Sequence, residues 1–216
     1  MVLTTALVTI GKLIVSYAFG CLFYYVTATE ERNIKKKLLD ELLALTINFV
    51  IFIWIGKILS QGLRIFRDPL AALAYPSNAA SIYIATSLFI VHLLYRHFRK
   101  GKRDEEIIRV ATPVVLATVF IYESVETIFH SGKQSLMIVV FLMVLLFIHL
   151  FKPDHFCNLE MAVYLLLIFL LGCIVFAVTI GAAYVSIFYY RLHLLYFISL
   201  FILIFSTFMF MKRRQN

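Results

Sequence analysis

IIRVATPVVLATVFIYESVETIFH, residues 107–130, is an apolar run of the length that a bilayer crossing requires, about 20 residues. It contains one proline, Pro113, and near its far end two carboxylates, Glu123 and Glu126. Hydrocarbon cannot solvate an ionised acid, so carboxylates inside such a run are rare and mark a functional hypothesis. The rest of the chain has the same character. Of its 216 residues 62% are hydrophobic and 15% charged, and the mean hydropathy is +0.94. A soluble domain is about half apolar and a quarter charged, so this composition describes an integral membrane protein with no separate soluble domain.

Working outward with the same window gives an all-α protein of seven transmembrane helices. They are expected at about 2–27, 42–61, 79–96, 107–128, 135–151, 160–180 and 184–211. The last could begin with an interfacial turn around Tyr189 to His193, after a tight turn at Gly181-Ala182-Ala183. The first run has no basic lead-in and is not expected to be a cleaved signal. Basic residues set the orientation. Arg32, Lys35, Lys36 and Lys37 fall in the first loop, Arg96, Arg99, Lys100, Lys102, Arg103 and Arg109 in the third, Lys152 in the fifth, and Lys212, Arg213 and Arg214 in the tail. The even-numbered loops hold fewer: Arg64, Arg67, Lys133 and Arg191. Cytoplasmic loops collect Lys and Arg, which places the N-terminus outside and the C-terminus in the cytoplasm. The net charge of +8 then calls for anionic lipid headgroups as partners and not for nucleic acid.

By this topology Lys57 and the pair Glu123 and Glu126 lie at similar depth near the outer face. The two acids are three residues apart and so neighbour each other on the helix. A lysine beside them would lower the cost of burial, since buried charges occur in pairs. Arg64 and Arg67, in the irregular loop 64–78 with Pro69 and Pro76, are candidate partners for the second acid. The candidate binding residues are therefore Lys57, Glu123, Glu126, Arg64 and Arg67. A plain ion pair between helices, or side chains reaching to headgroups, would account for the same residues. Lys12 could reach the interface or join the network. Ser16 and Gly20 form a small-xxx-small pair that marks a close helix contact. Cys21 and Cys173 read as small packing residues. With no CxxC, HxxxH or HExxH spacing, neither a metal site nor a cofactor is expected.

The order of features resembles bacterial prolipoprotein diacylglyceryl transferase, a seven-helix inner-membrane family with the N-terminus outside. Lys57 in Trp54-Ile55-Gly56-Lys57-Ile58 stands where that family has the arginine of a Gly-Ala-Arg-Leu type sequence. Arg67-Asp68-Pro69-Leu70 is similar to its Asn-Pro-Leu, and Asp104 and Pro113 fall where it has an Asp and an Ala-Pro. The departures are as informative. Ala74-Tyr75-Pro76-Ser77-Asn78-Ala79-Ala80-Ser81 lacks the histidine and glycines of the family's Gly-Gly-Met-Ser-Phe-His-Gly-Gly run. His130-Ser131-Gly132-Lys133-Gln134-Ser135-Leu136 is a reduced form of its His-Pro-x-Gln-Leu-Tyr-Glu motif. The essential arginine of its Gly-Arg-x-Gly-Asn-Phe signature reads Glu123. That arginine would hold a phosphate or developing anion, and a carboxylate reverses the sign.

The resemblance thus implies a multi-pass protein of the bacterial cytoplasmic membrane with the transferase-like fold and without its chemistry. The expected work is binding, of a lipid headgroup, a lipid-linked group or a partner membrane protein. The alternatives are a lipid-modifying enzyme using one carboxylate as general base, for which no supported nucleophile is visible, and a small secondary transporter, for which neither repeated halves nor central broken helices are visible.

Overall fold

An apolar segment in hydrocarbon has no partners for its backbone N–H and C=O groups except its own, and the helix supplies them all. The computed structural model describes residues 2–62, 79–100, 103–130, 133–151, 159–188 and 190–215, and among these it has seven helices. They are α1 (Val2–Thr27), α2 (Arg32–Gln61), α3 (Ala79–Lys100), α4 (Arg103–His130), α5 (Lys133–Phe151), α6 (Leu159–Ile180) and α7 (Leu194–Gln215). Five of them, α1, α2, α3, α4 and α6, are long and apolar enough to cross a membrane. The apolar stretches of α5 and α7 are shorter, Leu136–Phe151 and Leu194–Met209.

Most helices outrun their apolar stretches. Arg32, Lys35, Lys36 and Lys37, expected in a loop, lie on the first turns of α2. Helical hydrogen bonding continues past the point where hydropathy falls, so the apolar run marks only part of the helix. Arg64, Arg67 and both loop prolines lie outside the described residues.

The 107–130 stretch is the central helix. In α4, 61% of the apolar stretch is buried, against 17% for each of α1, α2 and α3. It packs along α1 and α5 and also meets α6, α2 and α3. Two apolar clusters flank it. Val110 and Val114 join Tyr24 of α1 and Leu38, Leu42 and Leu45 of α2 on one side. Leu116 and Val119 join Leu142 and Leu145 of α5 and Phe169 and Cys173 of α6 on the other.

Lipid tails are as apolar as leucine, so helices in a bilayer associate through close packing more than through the hydrophobic effect. The small residues show where. Gly20 of α1 lies against the Val114 carbonyl and Thr118 of α4, and Ser16, one turn away, is 1% exposed. Gly56 of α2 lies against the backbone of Ser81 in α3. The Tyr17 hydroxyl of α1 shares a 3.0 Å hydrogen bond with Thr46 of α2, satisfying two polar groups within the bundle.

The region expected as the start of the seventh helix is instead a β-hairpin. Strand β1 (Tyr184–Ile187) pairs antiparallel with β2 (Tyr190–His193), with Val185 opposite Leu192 and Ser186 opposite Arg191. The helix before it ends as the Gly181 turn predicts. Gly181 has φ 66°, and its N–H reaches Val178 O at 3.1 Å while Ala182 N–H reaches Ala177 O at 2.9 Å. This is the Schellman arrangement, in which glycine takes the left-handed position that ends a helix. The base of the hairpin is closed by Leu194 N–H to Ala183 O at 2.9 Å. Beyond it, Tyr-Val-Ser-Ile alternates in the strand period. Val185, Ile187 and Leu192 point into the cluster that holds Cys173 and Leu142, while Tyr184, Ser186 and Arg191 are exposed. The hairpin caps one end of the bundle, where α2, α4 and α6 finish and α1, α3, α5 and α7 begin.

Candidate functional site

The hairpin brings non-helical backbone to the end of an apolar bundle, and its outward N–H groups need acceptors. Two helices provide them. The Tyr83 hydroxyl of α3 accepts the His193 N–H at 2.9 Å, and Oε1 of Glu123 on α4 accepts the Phe188 N–H at 3.4 Å. Phe188 forms the tip with φ 51°, a left-handed backbone that Gly or Asn usually occupies in a two-residue hairpin turn. Its ring meets Tyr122 edge-on at 5.1 Å. Glu123 is 3% exposed beneath this tip. The Cys173 thiol on α6 is buried as well.

Glu126 serves a different neighbour. Its Oε2 forms an ion pair with Nζ of Lys12 on α1 at 3.0 Å, with 24% and 18% of the two side chains exposed. Lys12 Nζ also sits 5.5 Å from the centre of the Phe129 ring, a cation–π distance. Lys12, for which the sequence leaves two roles open, thus joins the network as the partner of Glu126. Lys57 lies at the same end of the bundle, half-buried, next to the Gly56 contact with α3. Glu123 and Glu126, adjacent on α4, therefore reach toward the hairpin and toward α1 respectively.

Further polar residues gather here that the sequence reading does not place at the site. Tyr196 of α7 shares a 2.7 Å hydrogen bond with Thr86 of α3, and its ring lies 5.0 Å from that of Tyr83. Ser60 and Ser81 share a hydrogen bond of 3.1 Å between α2 and α3. Nothing in the sequence singles out Tyr83, because its partner is a backbone group 110 residues away. Among the described residues no three His, Cys, Asp or Glu side chains come together as a metal site would require. At the other end of the bundle Arg96 pairs with Glu41 at 3.5 Å, and Arg32, Lys36 and Lys37 are exposed.

The Lys12–Glu126 pair makes a direct prediction. Reversing either charge alone, K12E or E126K, places like charges together in a half-buried position and lowers thermal stability in detergent. The double reversal K12E/E126K recovers part of the loss, with a coupling of about 1 kcal/mol. A double variant no better than the sum of the singles would mean that the pair contributes nothing.

Fold and site together define a helical membrane-embedded protein with a polar cluster, part ion pair and part hairpin anchor, at one end of its central helix. No family model, curated protein or solved structure matches the chain.

Proposed function

We propose that this is a multi-pass protein of the bacterial cytoplasmic membrane, crossing seven times with the N-terminus outside, that binds a lipid headgroup at the hairpin end. The observation that carries the reading is the Lys12–Glu126 ion pair between α1 and the central helix, beside the buried Glu123. A half-buried cation next to a carboxylate complements a zwitterionic headgroup. The phosphate can take Lys12, and the amine Glu126, so that one ion pair exchanges for two without leaving a charge unsolvated. Lys57 is at the same end, and Arg64 and Arg67, which lie outside the described residues, complete the proposed set of binding groups. The exposed basic residues at the opposite end favour anionic headgroups and the cytoplasmic leaflet.

The transferase resemblance bears on this reading through one position. A glutamate stands where that family's arginine would hold a phosphate, and binding without group transfer follows from the reversed sign.

Native mass spectrometry of protein extracted from membranes containing phosphatidylethanolamine tests the proposal. The wild type is expected to keep one amine-headgroup phospholipid through detergent exchange. E126Q and K12M are expected to keep it about tenfold less often, the effect of losing one charge-assisted contact. Equal retention in wild type and both variants, each still monodisperse, would remove the site.

A further inference from the structure

The middle of the central helix is covered by its neighbours except at one residue. Val114 and Leu116 are both 0% exposed, while Val115 between them is 41% exposed. Ile108 and Ala111, on the same helix face, are half-buried, and Thr112 and Val119 beside them are buried. The packing of that face locates the opening. Ala111 joins Phe89 and Leu93 of α3 against the cluster of Val110 and Val114. Ile108 joins Phe201 and Ile204 of α7 against Val163, Leu167 and Phe208. Val115 follows Ala111 by four residues and Ile108 by seven, so it shares their face and lies between an α3 wall and an α7 wall. Toward the hairpin the two walls are joined. The Thr86 and Tyr196 hydroxyls share a 2.7 Å hydrogen bond, and the Tyr83 and Tyr196 rings lie 5.0 Å apart. Beyond that join the walls leave Val115 uncovered.

Three occupants suggest themselves for an apolar crevice in a membrane-embedded bundle, and the geometry selects one. Water needs two to four polar partners, and the side chains around Val115 are those of Phe, Leu, Ile and Ala. A helix is about 10 Å across and would find a stripe open on α4 at the i, i+3, i+4 and i+7 positions. Here only Val115 is open. A hydrocarbon chain is slender enough, and the bilayer supplies it. An unfilled crevice would forfeit the dispersion contacts of its lining. We propose that the crevice between α3 and α7, floored by Val115, seats a single acyl chain of a phospholipid. The Thr86 and Tyr196 hydroxyls stand at its closed end. The seat rests on the membrane embedding and not on the headgroup reading, because none of its residues belongs to the Lys12–Glu126 pair.

Phosphatidylcholine with a diazirine near the methyl end of one chain, reconstituted with the full chain, tests the seat. Val115 lies eleven residues from Glu126, about 16 Å along the helix, at the depth of chain ends and not of headgroups. After irradiation, mass-spectrometric mapping should find label within residues 108–119 of α4. It should also find label on the open face of α5, where Val140 and Val144 are exposed. The α4 label should reach a plateau as the probe fraction rises, whereas the α5 label keeps rising. V115F and V115W fill the crevice and should remove most of the α4 label while leaving that on α5 unchanged. If neither variant folds, the wild-type maps decide alone. Label on α5 without label on α4 would overturn the seat, since the crevice would then be closed or hold water or another protein segment. Label on α4 that climbs in step with α5 would also overturn it, marking an ordinary lipid-facing wall. So would undiminished α4 label in a folded V115F or V115W.

Discussion

Glu123→Lys is expected to yield little folded, monodisperse protein, whereas Glu123→Gln should fold with a loss of about 1–2 kcal/mol. The native side chain is an acceptor for the Phe188 N–H in a position with almost no solvent. Glutamine keeps a carbonyl oxygen for that role and drops the charge. Lysine brings a cation and only donors to a site whose neighbour is another donor. An uncompensated buried charge costs about 3–5 kcal/mol, a large part of the stability of a chain this size. Size-exclusion profiles and thermal melts in detergent separate the outcomes. If Glu123→Lys behaves like Glu123→Gln, the carboxylate faces solvent or lipid headgroups and not the hairpin.

The second large effect is expected at Gly56. A Cβ at this position would collide with the carbonyl of Ser81, which is backbone and has no rotamer by which to move aside. Gly56→Val should therefore push α2 off α3 at the hairpin end and break the Ser60–Ser81 hydrogen bond, at a cost of about 3 kcal/mol. Gly11 is the control. Nothing lies within 4 Å of a Cβ there, so Gly11→Ala should be neutral or slightly stabilising through helix propensity. The emission of the single tryptophan, Trp54, two residues from Gly56, would follow the separation of the helices. A Gly56→Val protein with wild-type melting would show that the α2–α3 contact is dispensable.

Much of the architecture is legible in the sequence because a membrane admits few solutions. Each long apolar run must be a helix, and each expected run corresponds to a helix or, in the last case, to a hairpin and a helix. The importance of 107–130 is legible for a related reason. Carboxylates in an apolar run point to a helix with partners for them, and α4 is the most enclosed of the long apolar helices. Ser16 and Gly20 read correctly as a contact because small side chains in an apolar helix have few other uses.

The failures are equally physical. Residues 184–193 are mostly apolar and aromatic, and an alternation of only four residues does not outweigh the apolar run that continues beyond them. What makes them a hairpin is the supply of acceptors from Tyr83 and Glu123, far away in sequence. The partner of Glu126 was obscure because depth can be inferred along a helix but its azimuth cannot. The close α1–α4 packing at Gly20 puts Lys12 within reach of Glu126.

The long sequence separation of that ion pair has a consequence for how the protein is made. Lys12 and Glu126 are 114 residues apart. At a synthesis rate of roughly 5–20 residues per second, the carboxylate emerges about 6–23 s after the lysine. Throughout that interval α1 carries a cation near one end with no α4 to receive it. The first helix, long and apolar enough to cross on its own, must meanwhile keep its ammonium at the interface, and it gains its carboxylate partner only when the fourth arrives. Assembly of this protein is then not a sequence of independent insertions in chain order. It has a late step, the docking of the first helix on the fourth.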